Sequence, residues 1–155
     1  MSDAADTSVL RARGLRKHYG KGAGLVRAVD GVDLDVSAGE TVAVMGPSGC
    51  RKSTLPHLLG GLDRPSDGEV SLNGRRIDDI GERALARMRR TDLGFVFQAF
   101  HLMEKLTSIE NVELPALFAG RSPRAARRRA EELLHEVGLA DRAGFLPSAL
   151  SGGQR

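Results

Sequence analysis

The feature that most constrains this chain is a junction. At residues 41–45 a compact β-branched run, TVAVM, meets Gly46; the segment GPSGCRKST follows, and then an apolar stretch begins at Leu55. A continuous apolar run that stops abruptly at glycine reads as a strand buried on both faces that gives way to a loop. With a helix expected over residues 53–59, strand, loop and helix form the layout of a phosphate-binding site. In such a loop successive backbone amides point inward at an anion, and a helix N-terminus lies behind them. Gly46, Ser48, Gly49, Cys50 and Thr54 belong to the loop, Lys52 reaches the terminal phosphates, and Ser53 offers its hydroxyl to Mg²⁺.

The pattern G-x-x-x-x-G-K-[ST] requires glycine where this chain has Arg51. Glycine serves there because the backbone takes up an unusual conformation and approaches phosphate with no Cβ in the way. Pro56 lies inside the expected helix and lacks an N–H. That costs roughly 3 kcal/mol in a helix interior and less in the first turn. Two readings of the loop stay open: a nucleotide site, and a site so altered that it holds nucleotide weakly or not at all. An ordinary Gly/Ser turn accounts poorly for Lys-Ser-Thr after a buried strand.

Upstream, residues 9–36 alternate short apolar groups with glycine-rich turns. Val32, Leu34 and Val36 alternate with Asp33 and Asp35, which predicts an antiparallel sheet region with one wet face. Downstream, a strand is expected over 69–73, an arginine-rich helix over 82–90, and a second buried strand, LGFVF, over 93–97 that ends at Gln98. Helices then take over. Thr107 and Glu110 have capping-box spacing and start a helix expected to stop near Pro115. Ser122 and Pro123 start a longer one, with Ala126, Ala130, Leu133, Leu134 and Val137 on one side and Gly138 placed to end it.

Composition narrows the function classes. Lys+Arg of 23 against Asp+Glu of 20 leaves a net charge of only +3, which does not demand a nucleic-acid partner. The arginine run over 121–129 pairs with glutamates four residues on, Arg127 with Glu131 and Arg128 with Glu132, as a solvated helix face does. Aromatics make up 4% of the chain, too few for a base-stacking platform beside that run. A single cysteine, Cys50, excludes an intramolecular disulfide framework. No uninterrupted apolar stretch approaches the roughly 20 residues needed to cross a bilayer, so the expected location is cytoplasmic.

The motifs together resemble a known family, the ATP-binding subunits of ABC transporters. Besides GPSGCRKST, the likeness rests on LRKHYG at 15–20, FVFQ at 95–98, LTSIENVELP at 106–115 and LSGGQ at 150–154. HLLGGLDRPSDGEV and FVFQAFHLMEKLTSIENV look most like the branch serving lipoprotein release, macrolide export and cell division. The resemblance implies an α/β fold, a P-loop NTPase of the ABC ATPase kind. Residues 1–98 would form an antiparallel β region with a partial P-loop core, and 99–155 a helical subdomain ending in the signature motif. It implies ATP and Mg²⁺ as ligands. Tyr19 would stack on adenine, and Gln98 would help hold Mg²⁺ with Ser53. Ser151, Gly152, Gly153 and Gln154 would contact the γ-phosphate held by a second ATP-binding subunit in a head-to-tail dimer. Transmembrane permease subunits would be the other partners, on the inner face of the cell membrane.

Hydrolysis in this family uses an apolar strand ending in Asp and Glu, and a later histidine. The two apolar runs here end at Gly46 and Gln98. His18, His57, His101 and His135 all precede the signature. The expectation is therefore a chain matching the first two thirds of such a subunit, with C-terminal core strands missing, unable to hydrolyse ATP alone. The alternative is a non-catalytic remnant or interaction module.

Overall fold

The computed structural model describes residues 8–155. They fall into two compact units, one running to Arg87 and the other from Met88 to Arg155.

In the first unit, β1 (Ser8–Tyr19) pairs antiparallel with both β2 (Val26–Ser37) and β3 (Asp67–Leu72), and β4 (Arg75–Arg76) pairs with β3, giving the sheet order β2-β1-β3-β4. The expected antiparallel region is present. On β2, Val32, Leu34 and Val36 are half-buried while Asp33 and Asp35 are exposed, as period-2 alternation requires. Asp35 lies opposite Arg11 and accepts from Arg11 Nε at 2.8 Å and Arg13 Nη2 at 2.7 Å. Ala12, Leu15, Val29, Leu58, Val70, Ile77 and Leu85 are buried in this unit. Between β3 and β4, Asn73 (φ 49°) and Gly74 (φ 75°) form a two-residue turn. Positive φ at both central residues matches the right-handed twist of a hairpin, and Asn-Gly is the pair that accepts it most readily.

Helix α1 spans Thr54–Leu59, which places Pro56 in the first turn. A residue there has no intrahelical acceptor for its N–H, so the missing donor costs little. The Pro56 carbonyl accepts from Gly60 N–H at 2.9 Å, closing the helix after six residues. Helix α2, Glu82–Thr91, follows the hairpin.

The second unit is built on α3 (Ser108–Phe118) and α4 (Pro123–Glu136), around Ile109, Ala130 and Leu134 with Val112, Leu139 and Ala143 packed against them. The capping box at Thr107 is formed, its N–H donating to Glu110 Oε2 at 2.7 Å. Helix α3 does not stop at Pro115. It runs on to Phe118, because its first N–H groups are already satisfied by tertiary acceptors: Ser108 N–H donates to Phe145 O at 2.8 Å and Ile109 N–H to Ala143 O at 3.0 Å. A helix anchored in this way tolerates the one bond that Pro115 removes.

Ser122 Oγ accepts from Ala125 N–H at 3.3 Å, as a helix N-cap does. Gly138 (φ 72°) ends α4, and Leu139 N–H reaches back to Leu134 O at 2.7 Å. Ala126, Ala130 and Leu134 are buried, but Val137, expected on the same side, is the C-cap and 67% exposed. The arginine face pairs as expected: Arg127 with Glu131 at 3.3 Å and Arg128 with Glu132 at 3.8 Å.

The two runs expected as buried strands differ from expectation. Residues 41–45 and 93–97 are assigned to no strand among the described residues. Val42 and Val44 are each 43% exposed, Met45 is 88% exposed, and Val96 is fully exposed. The reason lies in backbone bonding: a strand is buried only when neighbouring strands take up its N–H and C=O groups. The ladders of the described sheet join β1 with β2 and β3, and β3 with β4; none reaches these runs.

Candidate functional site

The loop of residues 46–54 lies in the first unit, ahead of α1. A Cβ on Gly46 would come within 2.9 Å of Cys50 Sγ, the end of an exposed side chain that can turn away, and it is the φ of 158° that favours glycine here. Gly49 has φ 83° and Arg51 φ 59°. Arg51 therefore occupies the left-handed region that its position in the pattern reserves for glycine, at a strain of about 1–2 kcal/mol. Lys52 curls back over the loop. Its Nζ donates to Gly46 O at 2.8 Å and Pro47 O at 2.7 Å and lies 3.6 Å from Cys50 Sγ. Thr54 N–H donates to Arg51 O at 3.0 Å, and Ser53 is the N-cap of α1. Ser48, Gly49, Cys50, Arg51 and Ser53 are all exposed.

Tyr19, at the end of β1, is built into the same neighbourhood. Its hydroxyl donates to Asp63 Oδ2 at 2.9 Å. Asp63 Oδ1 accepts from Lys17 Nζ at 2.7 Å and from Arg64 N–H at 2.7 Å. Burial, then the bond to the Asp63 carboxylate, holds the Tyr19 phenol above its ordinary pKa. Burial works the other way on Asp63 and is outweighed by the bonds from Lys17 and Tyr19, which keep its carboxyl below the usual range. The ring is 37% exposed and carries two cations: Lys17 Nζ lies 5.1 Å from its centroid and the Arg51 guanidinium 5.7 Å. The structure thus brings Tyr19 together with Arg51.

Gln98 and the 151–154 motif belong to the second unit. Gln98 is exposed at the end of the extended run, where Phe95 and Phe97 stack at 5.8 Å and His101 meets Phe97 edge-on at 4.9 Å. Ser151, Gly152 and Gly153 are exposed. The motif is more ordered than a bare turn. Ser151 N–H donates to Gln154 Oε1 at 3.0 Å, while Gln154 and Arg155 N–H donate to Ser151 O at 3.0 and 3.2 Å. Ser151 and Gln154 thereby begin a helical turn in the manner of a capping box, with the Ser-x-x-Gln spacing that such a box needs.

Sequence reasoning missed Asp63 and Lys17, which anchor Tyr19, and Asn111, which pins the loop before α3. Asn111 Nδ2 donates to the carbonyls of Leu106 and Thr107, each at 3.0 Å, and its Oδ1 accepts from Met103 N–H at 2.8 Å. Lys17 and Tyr19 meet Asp63 only through the fold, and the residue type of Asn111 does not say which backbone groups it will meet.

A loop ahead of a short helix, in one unit with an antiparallel β region, is the layout of the P-loop NTPase fold of ATP-binding cassettes. Two dimeric structures of ATP-binding cassettes superpose with TM-scores of 0.86 at 39% and 40% identity, covering 94% of this chain and 64% of theirs; one of them is in a post-hydrolysis state bound to ADP and Pi. Residues 29–155 match the ABC transporter family, and the chain belongs to it. Among curated relatives it is 46% identical to the lipoprotein-releasing system ATP-binding protein LolD of Xanthomonas oryzae pv. oryzae, over 96% of this chain and 61% of the relative. It is 46% identical to the macrolide export ATP-binding/permease protein MacB 1/2 of Paracoccus denitrificans, over 95% of this chain and 22% of that protein. An uncharacterised ABC transporter ATP-binding protein of Thermotoga maritima is 48% identical over 90% of this chain and 59% of its own length. The chain thus spans less than two thirds of each.

Proposed function

We propose that this chain binds ATP with Mg²⁺ as an ATP-binding subunit of an ABC transporter. The observation that carries the reading is the loop of residues 46–54, crossed by Lys52, with the Tyr19 ring beside it. The residues suit a triphosphate. Lys52 donates to loop carbonyls that a more strongly accepting phosphate oxygen would displace, and the loop side chains are exposed. Ser53 would contribute one oxygen to Mg²⁺. The described residues contain no cluster of three or more His, Cys, Asp or Glu, so the phosphates themselves would supply much of the coordination. Gln98 is assigned to the same ion as a second protein ligand, and Tyr19 to the base.

Ser151, Gly152, Gly153 and Gln154 of one copy are assigned to the nucleotide held by a second ATP-binding subunit, in a head-to-tail pair. No helix of the described residues is long and apolar enough to cross a membrane. Attachment to the inner face of the cell membrane would run through permease subunits, using the segment around 100–115. No apolar run in these 155 residues ends in Asp-Glu, so they hold nucleotide without hydrolysing it by themselves.

A second reading is favoured by Arg51 in the left-handed region: a remnant or interaction module that has lost nucleotide. Titration with a fluorescent ATP analogue, with and without Mg²⁺, separates the two. The first requires a saturable signal abolished by Lys52→Ala, with no phosphate release from this chain alone. Absence of any saturable signal selects the second.

A further inference from the structure

We propose that Arg51 is a built-in competitor for the Tyr19 ring, lowering affinity for nucleotides through their base rather than through their phosphates. The inference rests on the nucleotide-binding reading above and adds a specificity-determining role for a residue outside the loop pattern.

Arg51 and Lys52 are neighbours on the loop, so a ligand whose phosphates meet Lys52 carries its base within side-chain reach of Arg51. Tyr19 is the aromatic surface in that reach: its ring is the group the Arg51 guanidinium covers, 5.7 Å from its centroid. A guanidinium and a nucleobase are both flat and favour the face of a phenol ring, and one face accommodates one of them.

The two cations on the ring are not equivalent. Lys17 Nζ is fixed by Asp63 Oδ1 at 2.7 Å and Arg64 O at 2.7 Å. The Arg51 guanidinium has no hydrogen bond or ion pair among the described residues, and the ring is its resting place. The positive φ of Arg51 sets the direction in which its side chain leaves the loop. A glycine at this position would leave Lys17 as the one cation on the ring among the described residues.

The test compares ATP with inorganic tripolyphosphate, which presents the phosphates without a base, by calorimetry on the full chain and on Arg51→Gly, each with Tyr19 intact and as Tyr19→Ala. With Tyr19 intact, Arg51→Gly tightens ATP about two- to fivefold more than it tightens tripolyphosphate, the size expected of an exposed cation–π contact. In the Tyr19→Ala background that difference disappears. Arg51→Gln, which keeps a side chain at the strained position and removes the charge, shows the same ATP-selective gain. Equal changes for both ligands with Tyr19 intact, or weaker ATP binding without Arg51, overturn the proposal while leaving the nucleotide reading in place. Failure of both ligands to bind every variant overturns that reading, and this proposal with it.

Discussion

Arg51 and Asn111 show how much single residues hold in this chain. Arg51 adopts φ 59° at a cost glycine would not incur, so Arg51→Gly should raise the stability of the first unit by about 0.5–1 kcal/mol, measured as a shift in the urea midpoint. A loss of stability would mean that the contact with Tyr19 outweighs the backbone strain. Asn111 has its amide committed to the carbonyls of Leu106 and Thr107 and to Met103 N–H. Asn111→Ala should destabilise the second unit by about 1–3 kcal/mol, because it leaves backbone groups without partners. The strain at Arg51 was legible in the sequence, since a pattern that asks for glycine is a statement about φ. Asn111 was not: its partners are backbone atoms of a loop, and nothing in the residue type announces which carbonyls it will meet.

Caps and turns set by short-range chemistry are mostly where the sequence places them, the stop expected at Pro115 excepted, whereas burial decided by distant partners is less legible. The capping box at Thr107, the Ser122-Pro123 start of α4 and the stop at Gly138 are each set within a few residues, and each is where the sequence places it. Asn73, expected in the strand over 69–73, lies instead in the Asn73-Gly74 turn after β3 ends at Leu72, although the Asn-Gly pair is itself a local turn signal. Runs 41–45 and 93–97 have the composition of interior strands, yet burial of a strand is decided by its neighbours. A direct check follows from their exposure. Val96→Lys should leave stability within about 0.5 kcal/mol of the parent in chemical denaturation, whereas the same change in a paired interior strand would be severe. The site divides along the same line. The candidate loop and the LSGGQ segment are singled out by local spacing, while the Lys17–Asp63–Tyr19 arrangement needs β1 and the segment after α1 to be brought together in space.

Across the whole molecule, the first unit is tied by carboxylates that must stay ionised. Asp78, its side chain buried, is held below the usual carboxylate range by the Arg76 guanidinium and the Val70 N–H, against the opposing effect of burial. Asp63 is lowered with it, as is Asp67 by the Gly68 N–H and Arg16. A carboxyl whose pKa falls on folding adds stability above its unfolded value, and that stability is lost as pH falls through the folded one. The first unit should therefore weaken below the ordinary carboxylate range, and Asp78→Asn should flatten that acid limb. The chain has one tyrosine and no tryptophan, so Tyr19 emission follows this unit alone. The bare runs TVAVM and LGFVF have a different consequence. Each is uncharged and β-prone, and each presents main-chain groups to whatever strand arrives first. At high concentration that stranger is an identical molecule, so refolding yield should fall steeply as the concentration of chain rises, and overproduced chain should collect in inclusion bodies unless a holdase shields those stretches.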